Sequence, residues 1–466
     1  MAEMHLPPTP PDNSPPKVPT VMAPLPPPPP PSKWSDSIIL KAIIISFLGL
    51  ILLIPTSLVS TIIYERESYR NEAIRDVGDK WGGTQNIVGP VVSVPYSVPV
   101  TDEETKKTVF ETHYAHFLPE KLQLKGSLVP ETRKRGIYDV VVYSSKLHIE
   151  GVFSALNFTS LGVKSENIDG NAAQLDIGIS DLRGIDKMVS LTWNGAELPF
   201  NSGLANADIA ATGIHANVPI GVINNEKGNF SFAIDLDLKG SDLIHFAPVG
   251  KITDITLNSV WPNPSFDGGF LPDDRKVSDK GFDAHWNILH LNRAYPQSFT
   301  DAPQGLDKSL FGVSLMIPID SYAKSTRAVK YGILFIALTF LTFFFIEVLN
   351  KKKVHPFQYI LVGLALCLFY TLLVAISEQT SFNFAYFISA SATILLISGY
   401  VRAILDNMRL GAIVACILSL LYGFIFIILQ LEGFALLVGS VGLFAVLSAV
   451  MYYSRKIDWY NVNEKG

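Results

Sequence analysis

Two short constellations carry residue types that do chemistry. Ser321-Tyr322-Ala323-Lys324 reads as Ser-x-x-Lys, a spacing that on a helix brings a lysine amine to a nucleophilic serine, as in penicillin-interacting enzymes. Neither Lys-Thr-Gly nor Ser-Asp-Asn accompanies it, and Asp320 or Ser321 is a natural N-cap for the helix that follows. His113-Tyr114-Ala115-His116 suggests a metal, but residues three apart on a strand face opposite sides, which spoils chelation. A Gly-x-Ser-x-Gly elbow and a P-loop are both missing from the sequence. The expectation is a protein that is no enzyme and holds no cofactor and no metal.

The surrounding composition is that of a membrane protein. Of 466 residues, 48% are apolar and 17% charged, against about a quarter charged in soluble chains. A formal charge of -5 leaves no basic footprint for nucleic acid. Residues 38–63 form the first long apolar run, read as an uncleaved signal anchor, with Lys41 near its start and Pro55 as a kink. Five more spans are expected at about Ala328–Leu349, Phe357–Ile376, Phe384–Ile404, Leu410–Leu429 and Phe434–Tyr453. Lys351 to Lys353, Arg402 with Arg409, and Arg455 with Lys456 fall on one side of six spans, so both termini are expected in the cytoplasm. Intramembrane charge is sparse. Glu347 and Glu378 sit near opposite ends of their spans, each within expected reach of headgroups or water. Cys367 and Cys416 both lie in apolar runs, read as inert, so the outer domain folds without disulfides.

The expected organisation is a proline-rich cytoplasmic tail at 1–37, a first span at 38–63, an outer domain at 64–327, a five-helix bundle at 328–454 and a cytoplasmic tail at 455–466. The first helix is expected to continue outward to about residue 80, because Tyr64 to Val77 is charged and free of Gly and Pro. Beyond Trp81 the period changes to two. Phe232, Ile234, Leu236 and Leu238 alternate with Ala233, Asp235 and Asp237, and short apolar runs recur between Gly, Asn, Asp and Pro clusters. The fold class is therefore α + β, an antiparallel β-rich, sandwich-like outer domain held between one N-terminal and five C-terminal membrane helices.

One stretch departs from that alternation. Trp261, Pro262, Pro264, Phe266, Phe270, Phe282, His285 and Trp286 pack aromatic and proline residues densely, the pattern of a rigid loop. It reads as a recognition surface or, alternatively, as a plug closing one end of the sandwich, with the lone His285 more a hydrogen-bonded packing residue than a ligand.

These residues together resemble the CreD family of bacterial inner-membrane cell envelope integrity proteins. The likeness runs from about Lys41 to Tyr460. It is carried by Arg135-Gly136-Ile137-Tyr138, Asp181-Leu182-Arg183-Gly184-Ile185, Trp261 to Phe266, Gly281 to Trp286, His355-Pro356-Phe357-Gln358-Tyr359, Ser377-Glu378-Gln379-Thr380 and Ile457-Asp458-Trp459-Tyr460. The tail Met1 to Ser32 has no counterpart in the family core. The resemblance implies an inner-membrane protein tied to envelope integrity and stress, linked to β-lactam and colicin responses, with no catalytic mechanism to carry over. The expected function is non-catalytic binding by a periplasmic β domain, the partners being the lipid bilayer and a periplasmic protein or envelope component. The alternative is a transporter or lipid-handling protein with its site in the bundle, at Glu378 or at the His355-Pro356 turn.

Overall fold

The computed structural model describes residues 38–101, 107–220, 228–302, 305–315, 317, 321–350, 354–431 and 433–455. The proline-rich tail, Asp320, Lys351 to Lys353 and the chain from Lys456 onward lie outside the described residues.

Helices α1 (Ile38–Ile51) and α2 (Leu53–Trp81) form one rod, interrupted at Leu52. Pro55 has no N–H to offer the Ile51 carbonyl, so the helical ladder lapses there. The Thr56 hydroxyl donates to the Leu52 carbonyl at 2.8 Å and steadies the break. Beyond Ile63, α2 continues without Gly or Pro until Gly78, as a stalk leading to the β domain.

The β domain is two packed sheets. One runs, in order, Pro264–Gly268, Phe311–Leu315, Leu243–Phe246, Gln85–Thr101, Gln174–Ile179, Gly213–Asn217 and Asn201–Ser202, with Thr108–Phe117 and Ser298–Phe299 off this path. The other runs Asp274–Ser278, Gly281–Leu289, Ile252–Ser259, Lys121–Arg135, Tyr138–Phe153, Phe230–Ser241, Ser190–Trp193 and Ala196–Pro199. The period-two pattern has its expected result: Phe232, Ile234, Leu236 and Leu238 are all buried. They join Val92, Leu175, Ile177 and Ile244 of the first sheet in a single core.

Two corrections to the antiparallel expectation arise. Gln85–Ile87 pairs parallel with Ile244–Phe246, and Lys121–Leu128 pairs parallel with Ile252–Ser259. In both pairs the intervening chain crosses to the other sheet and back, which is the kind of crossover that a parallel pair requires. The sheets are therefore mixed.

After the last strand come α3 (Ser321–Lys330), α4 (Gly332–Asn350), α5 (Pro356–Ser377), α6 (Phe382–Leu405), α7 (Met408–Gln430) and α8 (Ala435–Ser454). The expected span from Ala328 is thus split: Ala328 to Lys330 end the short polar α3, and the apolar helix starts at Gly332. Among the described residues, six helices are long and apolar enough to cross a membrane. Phe335, Phe369, Tyr370, Tyr386 and Tyr422 form the aromatic centre of the bundle. Helix α8 stands at the edge, where Gly442 admits the Phe424 ring, which a Cβ there would meet.

Candidate functional site

The stalk is fastened to the sandwich by the Asp181-Leu182-Arg183-Gly184 segment. Trp81 ends α2 with the Arg133 guanidinium 3.9 Å from its ring centroid and the Lys239 amine 5.0 Å away. The chain then turns at Gly82, whose φ of +128° suits only glycine. The Gly83 N–H donates to Asp181 Oδ2 at 2.9 Å, and Arg183 grips the same carboxylate with two nitrogens at 2.8 and 2.9 Å. Gln85 Nε2 donates to the carbonyls of Asp181 and Lys239, both at 3.0 Å. Arg183 foremost, with the Gly83 N–H, holds the Asp181 carboxyl down at about 2.

Lower on the stalk, the β domain meets the bundle. Tyr138, just past the Gly136 turn of the long hairpin, donates its hydroxyl to the Arg66 carbonyl at 3.4 Å. Arg66 Nε approaches Glu378 Oε1 at 3.7 Å, and the Tyr322 hydroxyl donates to the same oxygen at 2.9 Å. Burial and the Glu378 carboxylate push the Tyr322 phenol well up. Tyr138, Tyr322 and Glu378 border a pocket of about 440 Å³ whose charged lining is Arg70, Lys134, Asp139 and Glu378. Two sequence motifs far apart in the chain, Arg135 to Tyr138 and Ser377 to Thr380, thus build one site.

Other residues singled out by sequence fall elsewhere. His355 and Pro356 lie at the opposite end of α5 from Glu378, about 33 Å away by helical rise. They form an N-cap: His355 Nδ1 accepts from the Phe357 N–H at 3.2 Å, and Gln358 Oε1 accepts from the His355 N–H at 3.0 Å. The two candidate positions thus lie at opposite ends of the bundle. Ser321 lines the junction pocket, but Lys324 is directed to Gln430 Oε1 at 3.3 Å and to the Phe382 ring. The Glu347 carboxylate, expected to reach headgroups or water, is instead buried and accepts from Tyr359 Oη at 3.1 Å and the Val354 N–H at 3.3 Å. A carboxylate that close to a hydrocarbon layer turns inward to find donors.

The aromatic and proline stretch is a loop only in part: Trp261, Pro262 and Phe270 lie in irregular connections, while Pro264, Phe266, Phe282, His285 and Trp286 enter strands, Pro264–Gly268 and Gly281–Leu289, in the second of which Phe282, Ala284, Trp286 and Ile288 alternate toward the core. Trp286 is fully buried, with Phe266 and Phe311 at 5.8 and 5.7 Å and its Nε1 donating to the Phe270 carbonyl at 3.4 Å. Phe266 meets Phe282 edge-on at 5.5 Å, and Phe270 meets Phe311 at 5.9 Å. Trp286 and Phe282 are thus removed from any contact surface. Trp261, Pro262 and Pro264 remain partly exposed, and His285 faces outward beside Asp254 at 3.1 Å.

A buried polar chain on the face of the first sheet opposite its apolar core residues escaped sequence reasoning. Ser93 Oγ donates to Asp176 Oδ2 and lies 2.9 Å from His116 Nδ1; His116 Nε2 faces Asp208 Oδ2 and Asn206 Nδ2, both at 3.3 Å. Ser93, His116 and Asp176 are all buried, whereas His113 points outward toward Glu111 at 3.7 Å. Burial raises the Asp176 carboxyl to about 6 and lowers His116. With Asp176 ionised, Ser93 gives it its proton and accepts from His116 Nδ1, so the hydroxyl is not poised toward imidazole as a nucleophile would be. The available signal was a polar residue between two apolar neighbours in a strand, as in Val92-Ser93-Val94 and Leu175-Asp176-Ile177, which alternation puts on the face opposite the apolar pair. Among the described residues no group of three or more His, Cys, Asp or Glu side chains is arranged to hold a metal.

A β-sandwich carried on a stalk from the first of six membrane helices and seated on the other five defines a multi-pass membrane protein with one large domain outside the bilayer. The family model described as inner membrane protein CreD matches residues 37–460. The Inner membrane protein CreD of Escherichia coli (strain K12) is 35% identical over 415 residues, covering 88% of this chain and 91% of that protein. The chain belongs to the CreD family of inner membrane proteins. Among solved structures, an M1 zinc metallopeptidase from Deinococcus radiodurans aligns over 42% of each chain, at 8% identity and a TM-score of 0.20; that likeness carries no argument about fold or activity.

Proposed function

We propose that this protein supports the integrity and stress response of the bacterial cell envelope by non-catalytic binding through its β domain, which faces the periplasm while both termini face the cytoplasm. The orientation rests on charge. Arg402 and Arg409 flank the turn between α6 and α7 and Arg455 follows α8, all at the end of the bundle away from the sandwich. The turn beside the sandwich carries Glu378 and no Lys or Arg.

The observation that carries the reading is the junction of Tyr138, Arg66, Tyr322 and Glu378. It fixes a rigid sandwich against the bundle, so whatever the sandwich binds is held at the membrane. The buried, reversed Ser93–His116 pair supports a non-catalytic role. The test is crosslinking in intact cells from a photoreactive residue at Trp261, which is partly exposed, rather than at Trp286, which is not. A discrete protein or glycan adduct is the expected result. Adducts with lipid only, or none from Trp261 and from the exposed Leu291, would overturn the reading in favour of lipid handling or transport by the bundle.

A further inference from the structure

We propose that the buried Ser93–His116–Asp176 chain is a proton-operated switch, in which one proton taken up in mild acid moves the anchor of the 203–212 loop from Asn206 to Asp208. The inference is independent of what the sandwich binds.

The two anchors stand side by side. Asn206 and Asp208 lie in the connection between Asn201–Ser202 and Gly213–Asn217. Each reaches His116 Nε2 at 3.3 Å. Asn206 Oδ1 accepts from the Asp208 N–H at 3.2 Å, which turns the amide nitrogen toward the imidazole. That nitrogen needs a lone pair on Nε2, whereas the Asp208 carboxylate needs a hydrogen there. One ring nitrogen cannot serve both, so its protonation decides which residue holds the loop.

The buried end sets that protonation. Ser93 donates to Asp176 Oδ2, while Asp176 Oδ1, also buried, has no donor among the described residues. With Asp176 ionised, the Ser93 oxygen is left to accept, and the hydrogen that suits it sits on His116 Nδ1, 2.9 Å away. Nε2 is then bare and takes Asn206. The misfit falls on Asp208, which is partly exposed and has water to relieve it. A misfit at Ser93 would be fully buried and cost more.

Acid reverses the chain. A proton from water joins Nε2, the Nδ1 proton passes to Ser93 Oγ, and the Ser93 proton passes to Asp176 Oδ2. The chain has gained one proton, the imidazole and Asp176 are both neutral, and each hydrogen bond runs the opposite way. Were the added proton to stop on the imidazole, Nε2 would carry a hydrogen all the same. In either case Asp208 becomes the acceptor and Asn206 is released. Burial raises the Asp176 carboxyl to about 6, which places the uptake just below neutrality. The other charges nearby are His215, opposite Asp176 on the next strand, and Asp301, toward His116; the Tyr114 phenol stacks on the His116 ring. Past the anchors the loop runs into Ile209 to Thr212, which wall a cavity of about 330 Å³ opposite Asn86 and Asp307, so the exchange of anchors reaches a surface cavity.

The experiment follows hydrogen exchange of the 203–212 loop in the full chain in bilayers, read by mass spectrometry as protection factors at pH 8 and pH 5. A carboxylate anchor is charge-assisted and an amide anchor is not. Wild type should therefore gain about tenfold protection at pH 5. Asp176→Asn puts a permanent donor beside Ser93 and should show the higher protection at both pH values. Asp208→Asn, at a partly exposed loop position that folding tolerates, should show the lower protection at both. His215→Asn should keep the difference. Equal protection of the wild-type loop at the two pH values would overturn the proposal. So would a difference that survives in Asp176→Asn or Asp208→Asn, or one lost in His215→Asn, which would give the switch to His215.

Discussion

Lys41 and Glu347, 306 residues apart in the chain, meet at 2.8 Å between Nζ and Oε1. The pair joins the first membrane helix to the bundle. That helix has little other purchase, since only 17% of its apolar window is buried. Lys41 therefore does more than reach for the interface. It neutralises the buried carboxylate that Tyr359 and the Val354 N–H already hold.

Removing one partner leaves the other charge uncompensated, at a cost of about 3 kcal/mol for a buried pair. Lys41→Met is expected to lower the unfolding midpoint of the detergent-solubilised protein sharply. The double variant Lys41→Met, Glu347→Leu should recover most of the loss. A double variant as unstable as the single one would show that the two side chains act separately.

Asp181 gives a pH prediction. Its folded-state carboxyl is held at about 2, below its ordinary value near 3.8. Its contribution is thus present above about pH 4 and is lost as pH falls toward 2. It amounts to about 2 kcal/mol. Denaturant midpoints of wild type and Asp181→Asn should differ at pH 6 and converge near pH 2. A difference that persists at pH 2 would mean the clamp is not electrostatic.

Asp176 behaves in the opposite sense. Its carboxyl is raised to about 6, so the stability of the protonated form is complete below pH 4 and is lost as pH rises through 6. Asp176→Asn should therefore stabilise the protein at pH 7.5 by about 2–3 kcal/mol, with the gain vanishing below pH 4. His116, pushed down by burial, loses stability as pH falls, and offsets Asp176 in the wild type. Only the difference between variant and wild type isolates the carboxyl. Stabilisation that is the same at pH 4 and pH 7.5 would contradict the assignment.

The two tryptophans at either end of the aromatic stretch should separate stability from binding. Trp286→Ala empties a fully enclosed site and should cost about 3–5 kcal/mol. Trp261→Ala removes a ring that only packs against the edge of the core and should cost less, so any loss of envelope function in that variant beyond its stability change reports on contact. Equal melting temperatures for the two variants would refute this division.

Much of the architecture was legible because each element has a strong local period. Twenty apolar residues can only span, and Phe232 to Leu238 can only alternate. The parallel pairing of Lys121–Leu128 with Ile252–Ser259 was not legible, since register between distant strands leaves no local pattern. Nor was the Trp261 to Trp286 stretch, where dense proline and glycine suggest a loop although Phe282, Ala284 and Trp286 keep a strand's alternation. Glu378 was marked as a candidate, but its companions Arg66, Tyr138 and Tyr322 come from three other elements. Only the fold shows that they meet.

The stalk has a mechanical corollary. Hydrophobic mismatch with the bilayer tilts a spanning helix. From Thr56 to Val77, α2 contains neither Gly nor Pro, so no joint at the membrane surface takes up that tilt. A tilt of the bundle would therefore pass undiminished along the stalk to Trp81 and the Asp181 clamp, and because the Tyr138, Arg66, Tyr322 and Glu378 junction ties sandwich to bundle, the two would lean as one body, as a pointer follows the shaft it is fixed to.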